Sequence, residues 1–193
     1  MSGPAGIALL AAALVVLADS WRRASLGNVS PAEERVFRRF NDGPDVVHIP
    51  VWAVMQAGSY AAVYVVTAML WIRGDHAKTA AVFVLGTVVW LGVKSVKRYI
   101  GRGRPDAHLD AVAVRGQVQT GLGYPSGHSA LSMTLALAAT QGASPGLQLA
   151  AVAVAVFTGC ARMYVGAHLP LDVAGGFAIG VIVGQGAVWG LAL

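Results

Sequence analysis

The chain has 193 residues, of which 56% are hydrophobic and 12% charged, with a mean hydropathy of +0.63. Charges this sparse cannot cover a water-facing surface, which excludes a soluble globular domain, and the composition fits neither a coiled coil nor a disordered chain. The net charge of +5 comes from short basic segments between apolar runs, a pattern that suits membrane flanks or an anionic ligand and not nucleic acid.

Residues 3–18 form the first apolar run. No Lys or Arg precedes it, so it is read as a retained first helix and not as a signal peptide. Residues 30–41 come next: Ser30 as N-cap, Pro31 at the first helical position, and Glu33 and Glu34 in the first turn. Val36, Phe37 and Phe40 then mix with Arg35, Arg38 and Arg39, which predicts a short amphipathic helix lying at the membrane interface. The runs over 50–72 and 77–96 can cross a hydrocarbon core of about 30 Å at about 1.5 Å per residue. Runs over 126–141, 145–164 and 170–192 complete a set of six.

Backbone groups in lipid are satisfied only in helices or closed barrels, and these runs do not alternate as barrel strands do. The predicted fold is therefore all-α: one domain over 1–193, a polytopic bundle of six transmembrane helices. Trp21, Trp52, Trp71 and Trp189 fall near the ends of spans, where interfacial anchors belong. Gly176, Gly180 and Gly184 recur every fourth residue in the last run, a face that lets another helix approach closely. Cys160 is the sole cysteine and reads as a small buried hydrophobe.

The polar residues are few and they cluster. Lys97 to Pro105 follows the third run, Gly123 to His128 opens the fourth, Arg162 ends the fifth, and His168 and Asp172 open the sixth. Alternation of the spans puts all of them on one membrane face, as an active site at the interface requires. Lys97, Arg104 and Arg162 can donate charge-assisted hydrogen bonds to the oxygens of a phosphate. Ser126 and Gly127 add helix N-terminal N–H groups to such an anion cradle. Asp172 lies one helical turn beyond His168 and can hold one imidazole nitrogen, leaving the other as a nucleophile. His128 can protonate a leaving oxygen. Taken singly, the basic residues, Arg102 among them, also read as positive flanks of a span, and His168 with Asp172 as a structural pair or two metal ligands. No third ligand is near and the cations would repel a metal, so neither metal nor cofactor is expected. His48, His76 and His108 receive no role.

In this arrangement Lys97-x6-Arg104-Pro105, Pro125-Ser126-Gly127-His128 and Arg162-x5-His168-x3-Asp172 resemble the three-part signature of the type 2 phosphatidic acid phosphatase (PAP2) superfamily. The resemblance implies a metal-independent membrane phosphatase. Lys97, Arg104, Ser126, Gly127 and Arg162 would bind phosphate, His168 would attack phosphorus, His128 would act as the acid, and Asp172 would orient His168. The implied substrate is a membrane lipid phosphate: a polyprenyl phosphate or diphosphate, phosphatidate or phosphatidylglycerol phosphate. Phosphate transfer between lipids and a non-catalytic anion-binding transporter or scaffold are the alternatives. A transporter, however, places polar groups near the midplane, whereas these gather at one face. One departure stands out: Ala161 occupies the position before Arg162 where the family usually has serine.

Connections 1–2, 3–4 and 5–6 hold 12 Lys and Arg, against two (Arg73 and Lys78) on the other face. The positive-inside rule places the active-site face of a plasma-membrane protein in the cytoplasm, although many bacterial phosphatases of that superfamily face outward. An Ala107→Cys variant in intact cells is expected to resist an impermeant thiol reagent and to react once the membrane is opened. Labelling in intact cells reverses the orientation.

Overall fold

The structure, a computed structural model, describes residues 3–190, with side chains to residue 187. Eight α-helices follow one another there: α1 (Pro4–Ser25), α2 (Pro31–Asn41), α3 (His48–Met55), α4 (Tyr60–Ile72), α5 (His76–Ile100), α6 (Gly127–Ala139), α7 (Pro145–Tyr164) and α8 (Pro170–Gly190). No strand occurs among the described residues. The helix starts obey local chemistry. The Ser30 side chain accepts from Glu33 N at 3.2 Å, Asp75 from Lys78 N at 3.3 Å and Ser144 from Leu147 N at 3.4 Å, each satisfying an N–H that the helix leaves open.

By length and hydropathy, α1, α5, α7 and α8 can each cross a membrane, and α3 with α4 makes a fifth crossing if counted as one. Apolar side chains stand outward on these helices, among them Val15, Val65, Trp71, Val84 and Leu149, as helices facing lipid require. The expected sixth run extends to 192; its residues 191 and 192, and the side chain of Trp189, lie outside the described residues.

Two of the six expected runs depart from a simple span. The run over 50–72 is broken: α3 and α4 meet at 65° across a 3-10 turn at Gln56–Gly58. The break lies where the backbone passes against α6 and α7. A Cβ on Gly58 would stand 2.5 Å from the His128 carbonyl oxygen and 2.8 Å from Thr158 Cγ2. The run over 126–141 becomes α6, 13 residues long and so about 20 Å. Every side chain from Ser129 to Ala136 is buried, and α6 touches α4, α5, α7 and α8. It is the central helix, shielded from lipid by the others.

The glycine face of α8 makes its contact with this helix. A Cβ would stand 2.5 Å from Ser126 O at Gly176, 2.6 Å from Ala130 O at Gly180 and 2.9 Å from Leu137 Cβ at Gly184. Backbones this close gain dispersion contact that larger residues would prevent. Helix α2 turns Glu33, Phe37 and Asn41 inward and rests on α7 and α8. Asn41 then fastens the long α5–α6 connection, donating to Ala113 O at 2.9 Å and Tyr164 O at 3.1 Å and accepting from Ala113 N at 2.9 Å.

Gly180→Leu is expected to lower the thermal unfolding midpoint in detergent, with an overpacking cost of about 1–3 kcal/mol. Gly186→Ala, where a Cβ meets nothing within 4 Å, should leave the midpoint unchanged or raise it. Equal midpoints for the two variants would show that the α6–α8 approach is not limiting.

Candidate active site

Helix α5 ends at Gly101, whose left-handed backbone (φ +69°) suits a residue without a Cβ. The turn sends the basic segment back across the end of the helix. Lys97 Nζ donates to the carbonyls of Leu122 and Gly123, both at 2.8 Å. Arg104 donates from Nη1 to Ala167 O at 2.7 Å and from Nε to Gly121 O at 3.2 Å. Gly123 N donates to Arg102 O at 2.7 Å. The end of α5, the approach to α6 and the α7–α8 turn are thus joined through two cations.

At the start of α6, Ser126 is fully buried. Its Oγ accepts from Ser129 N at 3.4 Å and from Ser129 Oγ at 2.9 Å, and its N–H donates to Asp172 O at 2.8 Å. Gly127 and His128 form the first turn beside it. Arg162, in the last turn of α7, is buried; Nη1 lies 3.4 Å from Met55 Sδ, and Nε has no hydrogen-bond partner. The following turn is tied back to α7 by His168 N donating to Arg162 O at 3.2 Å. Pro170 then opens α8. Asp172 Oδ2 accepts from Leu169 N at 2.9 Å and faces His168 Nδ1 at 3.4 Å. All eight residues singled out in the sequence stand at the adjoining ends of α5 to α8.

His168 is almost wholly buried. Its burial, and then the positive charges of Lys97, Arg162 and Arg104 around it, hold the imidazole well below its ordinary value. The ring is therefore neutral at neutral pH and keeps a lone pair on one nitrogen. A cavity of about 480 Å³ opens at this end of the bundle, lined by His128 and Arg162 together with His48, Trp52, Gln56 and Gln119. A second cavity, also about 480 Å³ and apolar, runs between α4, α6 and α7 along Ala61, Val65, Leu135 and Ala155. Gln56, in the α3–α4 break, lines both. Among the described residues no three His, Cys, Asp or Glu side chains converge as a metal site would need.

Sequence reasoning passed over three participants. Arg102 reads as a span flank, yet its side chain has no exposure and bridges Glu33 and Asp172. Glu33 reads as a helix-start acid, yet it is buried. The available signal was its position four residues before Phe37 and eight before Asn41, on one face of α2. His48 lines the cavity with Nε2 buried and unpartnered; no spacing pattern marks it. Ala161, the departure from the signature, sits in an apolar cluster with Met55, Tyr164, Val165 and Ala167, where a methyl group is at home.

Comparison with known proteins bears on this geometry. A sequence model described as the PAP2 superfamily matches residues 77–192. The decaprenylphosphoryl-5-phosphoribose phosphatase of Mycobacterium tuberculosis is 38% identical over 89 residues, covering 46% of this chain and 48% of that protein. The lipid A 1-phosphatase of Rhizobium etli is 36% identical over 104 residues, covering 51% and 44%. The chain thus spans about half the length of these curated relatives. Two crystal structures share the fold. Aquifex aeolicus LpxE has a TM-score of 0.72 at 24% identity, over 80% of this chain and 93% of that one. The first transmembrane PAP2 type phosphatidylglycerolphosphate phosphatase from Bacillus subtilis has a TM-score of 0.68 at 19% identity, over 93% and 92%.

The depressed His168 imidazole has a direct readout. In an NMR titration of imidazole-labelled protein in detergent, His168 should stay neutral as the pH falls through the ordinary histidine midpoint near 6.5 and take up its proton only below it. The sign follows from the direction of the shift: a lowered histidine takes up its proton only at lower pH. A midpoint at or above the ordinary value would mean that Asp172 outweighs burial and the three cations.

Proposed function

The chain belongs to the PAP2 superfamily, and from that premise we propose that it is a membrane phosphatase that hydrolyses a lipid phosphate or diphosphate through a phosphohistidine. One observation carries the reading. A neutral, buried histidine backed by Asp172 stands among Lys97, Arg104 and Arg162, and of this site His128 and Arg162 line a cavity that shares Gln56 with a second, apolar one. The cavity with Arg162, Arg115 and His128 on its wall suits a phosphorylated head group, and the apolar one a hydrocarbon chain. The names of the relatives point the same way: a decaprenylphosphoryl-5-phosphoribose phosphatase, an undecaprenyl-diphosphatase and a lipid A 1-phosphatase.

In the proposed reaction the substrate phosphate is held by Lys97, Arg104 and Arg162 and by the N–H groups at the start of α6, with Ser126 and Gly127. These groups stabilise the charge of an in-line displacement. The free imidazole nitrogen of His168 attacks phosphorus, the N–P bond forms and the P–O bond to the leaving group breaks. His128, which takes up a proton once the bound phosphate anion offsets the surrounding cations, gives that proton to the leaving oxygen. The imidazolium formed on His168 is stabilised by Asp172. Water then attacks phosphorus, His128 takes its proton, and the N–P bond breaks to release inorganic phosphate. No step requires a metal or cofactor.

The same reading treats the chain as one domain with six crossings in the plasma membrane and the site on the cytoplasmic face. α3 and α4 form one broken crossing. α6 is the sixth and falls short of the full core because protein, not lipid, surrounds it.

Phosphate release from a panel of lipid phosphates should survive EDTA and be inhibited by vanadate, which adopts five-coordinate geometry at phosphate sites. Arg104→Ala and Arg162→Ala should each lose about 10²–10³-fold in kcat, the scale seen when one preorganised donor is removed. His168→Ala should abolish both turnover and an acid-labile phosphoenzyme. His128→Ala should be slow on alkyl phosphates and less impaired when the leaving group is good. Phosphoenzyme surviving in His168→Ala would reverse the two histidines, and loss with EDTA restored by zinc would replace the mechanism.

A further inference from the structure

Glu33, Arg102 and Asp172 form a buried chain of charge that ends at His168. Arg102 donates from Nη2 to Glu33 Oε2 at 2.8 Å and from Nη1 to Glu33 Oε1 at 3.0 Å, and from Nη1 also to Asp172 Oδ1 at 3.1 Å. The side chains of Arg102 and Asp172 have no exposure and that of Glu33 has 3%. Glu33 Oε1 also accepts from Leu171 N at 3.1 Å, so the carboxylate holds the first turn of α8 as well as the guanidinium. The other oxygen of Asp172 is the one that faces His168.

The stoichiometry of charge is informative. Buried ions are stable only when paired, and Arg102 with Asp172 alone would already be a neutral pair. In such a pair the aspartate's charge would be spent on the arginine. Glu33 takes up the guanidinium through two hydrogen bonds, leaving the set of three with one net negative charge beside His168. Glu33 also forgoes a common local use. Ser30 and Glu33 have the spacing of a capping box, in which the acid reaches back to its own helix start, yet its carboxylate turns inward to Arg102 instead. Glu33 lies outside residues 77–192, the span matched by the superfamily.

Resting on the phosphatase reading, we propose that Glu33 and Arg102 are positioning residues for the reaction. Through Arg102, helix α2 holds Asp172 in place and leaves its negative charge available to the imidazolium that forms on His168. Neither residue touches the substrate. Their effect falls on the chemical step and not on phosphate binding, which belongs to Lys97, Arg104 and Arg162.

The test is steady-state kinetics on purified full-length protein in detergent, with active sites counted by vanadate titration. Glu33→Gln keeps the shape and an acceptor for Leu171 N but removes the charge; kcat per active site should fall at least tenfold, with KM and the inhibition constant for inorganic phosphate within twofold. Glu33→Asp, which restores the charge, should recover part of that loss. Should the glutamine variant not fold, the aspartate variant carries the test through the same split: kcat lowered severalfold at unchanged KM. Phe37→Ala, which removes a buried side chain of the same helix, should lower the unfolding midpoint and leave kcat per active site unchanged. The inference is overturned if Glu33→Gln, or Glu33→Asp in its place, keeps kcat per active site within twofold. It is equally overturned if Phe37→Ala lowers kcat as much. If the unaltered protein releases no phosphate from any lipid phosphate, the phosphatase reading itself fails, and this inference with it.

Discussion

The close approach of α8 to α6 is the constraint from which the geometry of the site follows. Gly176, Gly180 and Gly184 let the two backbones come near enough for carbonyls of α6 and the residue before it to face α8 directly. The last member of that contact is a hydrogen bond from Ser126 N to Asp172 O at 2.8 Å. It joins the residue that opens α6 to the first turn of α8. His128 and His168, 40 positions apart in sequence, are thereby brought close enough to act on each other electrostatically. A larger residue at any of the three glycines would press on α6 or the residue before it, so something there must shift.

Electrostatics sets the second requirement. Lys97, Arg104 and Arg162 stand near one another in a region with little water, where like charges repel more strongly than at a free surface. Part of their hydrogen-bonding capacity goes to carbonyls at helix ends and in turns: those of Leu122, Gly123, Gly121 and Ala167. These are the groups a helical fold leaves unsatisfied. The cations therefore help to fasten the connections while keeping a positive field over His168. The field that adds to burial in keeping the imidazole neutral also favours an incoming anion. The preorganisation is thus in the protein, before any substrate arrives.

Burial of charge also explains why a helix outside the signature belongs to the site. A guanidinium with no exposure needs anionic partners or it would not be buried there. Arg102 has two, on α2 and α8, and Asn41 on the same α2 fastens the α5–α6 connection. Helix α2 is amphipathic, as its alternation of apolar and basic residues suggests. Its inward face, however, meets protein: Phe37 is fully buried against Met163, Leu169 and Val173.

Most helix positions were legible in the sequence because they depend on neighbours along the chain. Apolar runs, Ser30 and Ser144 as caps, and Pro31, Pro145 and Pro170 at helix starts located α1, α2, α5, α7 and α8 to within a few residues, save at the end of α1. The eight candidate site residues were legible for a similar reason: their types and spacings are local patterns at helix ends. Tertiary structure alone decided what depends on distant partners. A hydropathy run cannot show that 50–72 bends by 65° where Gly58 meets the backbone of His128, or that 126–141 shortens to an enclosed central helix. Nor can it show that Glu33 and Arg102, 69 residues apart, bury their charges against each other. An acid in a first turn and an arginine beside a span look like solvated charges in one dimension, because the energy that pairs them arises only when the fold removes water from both.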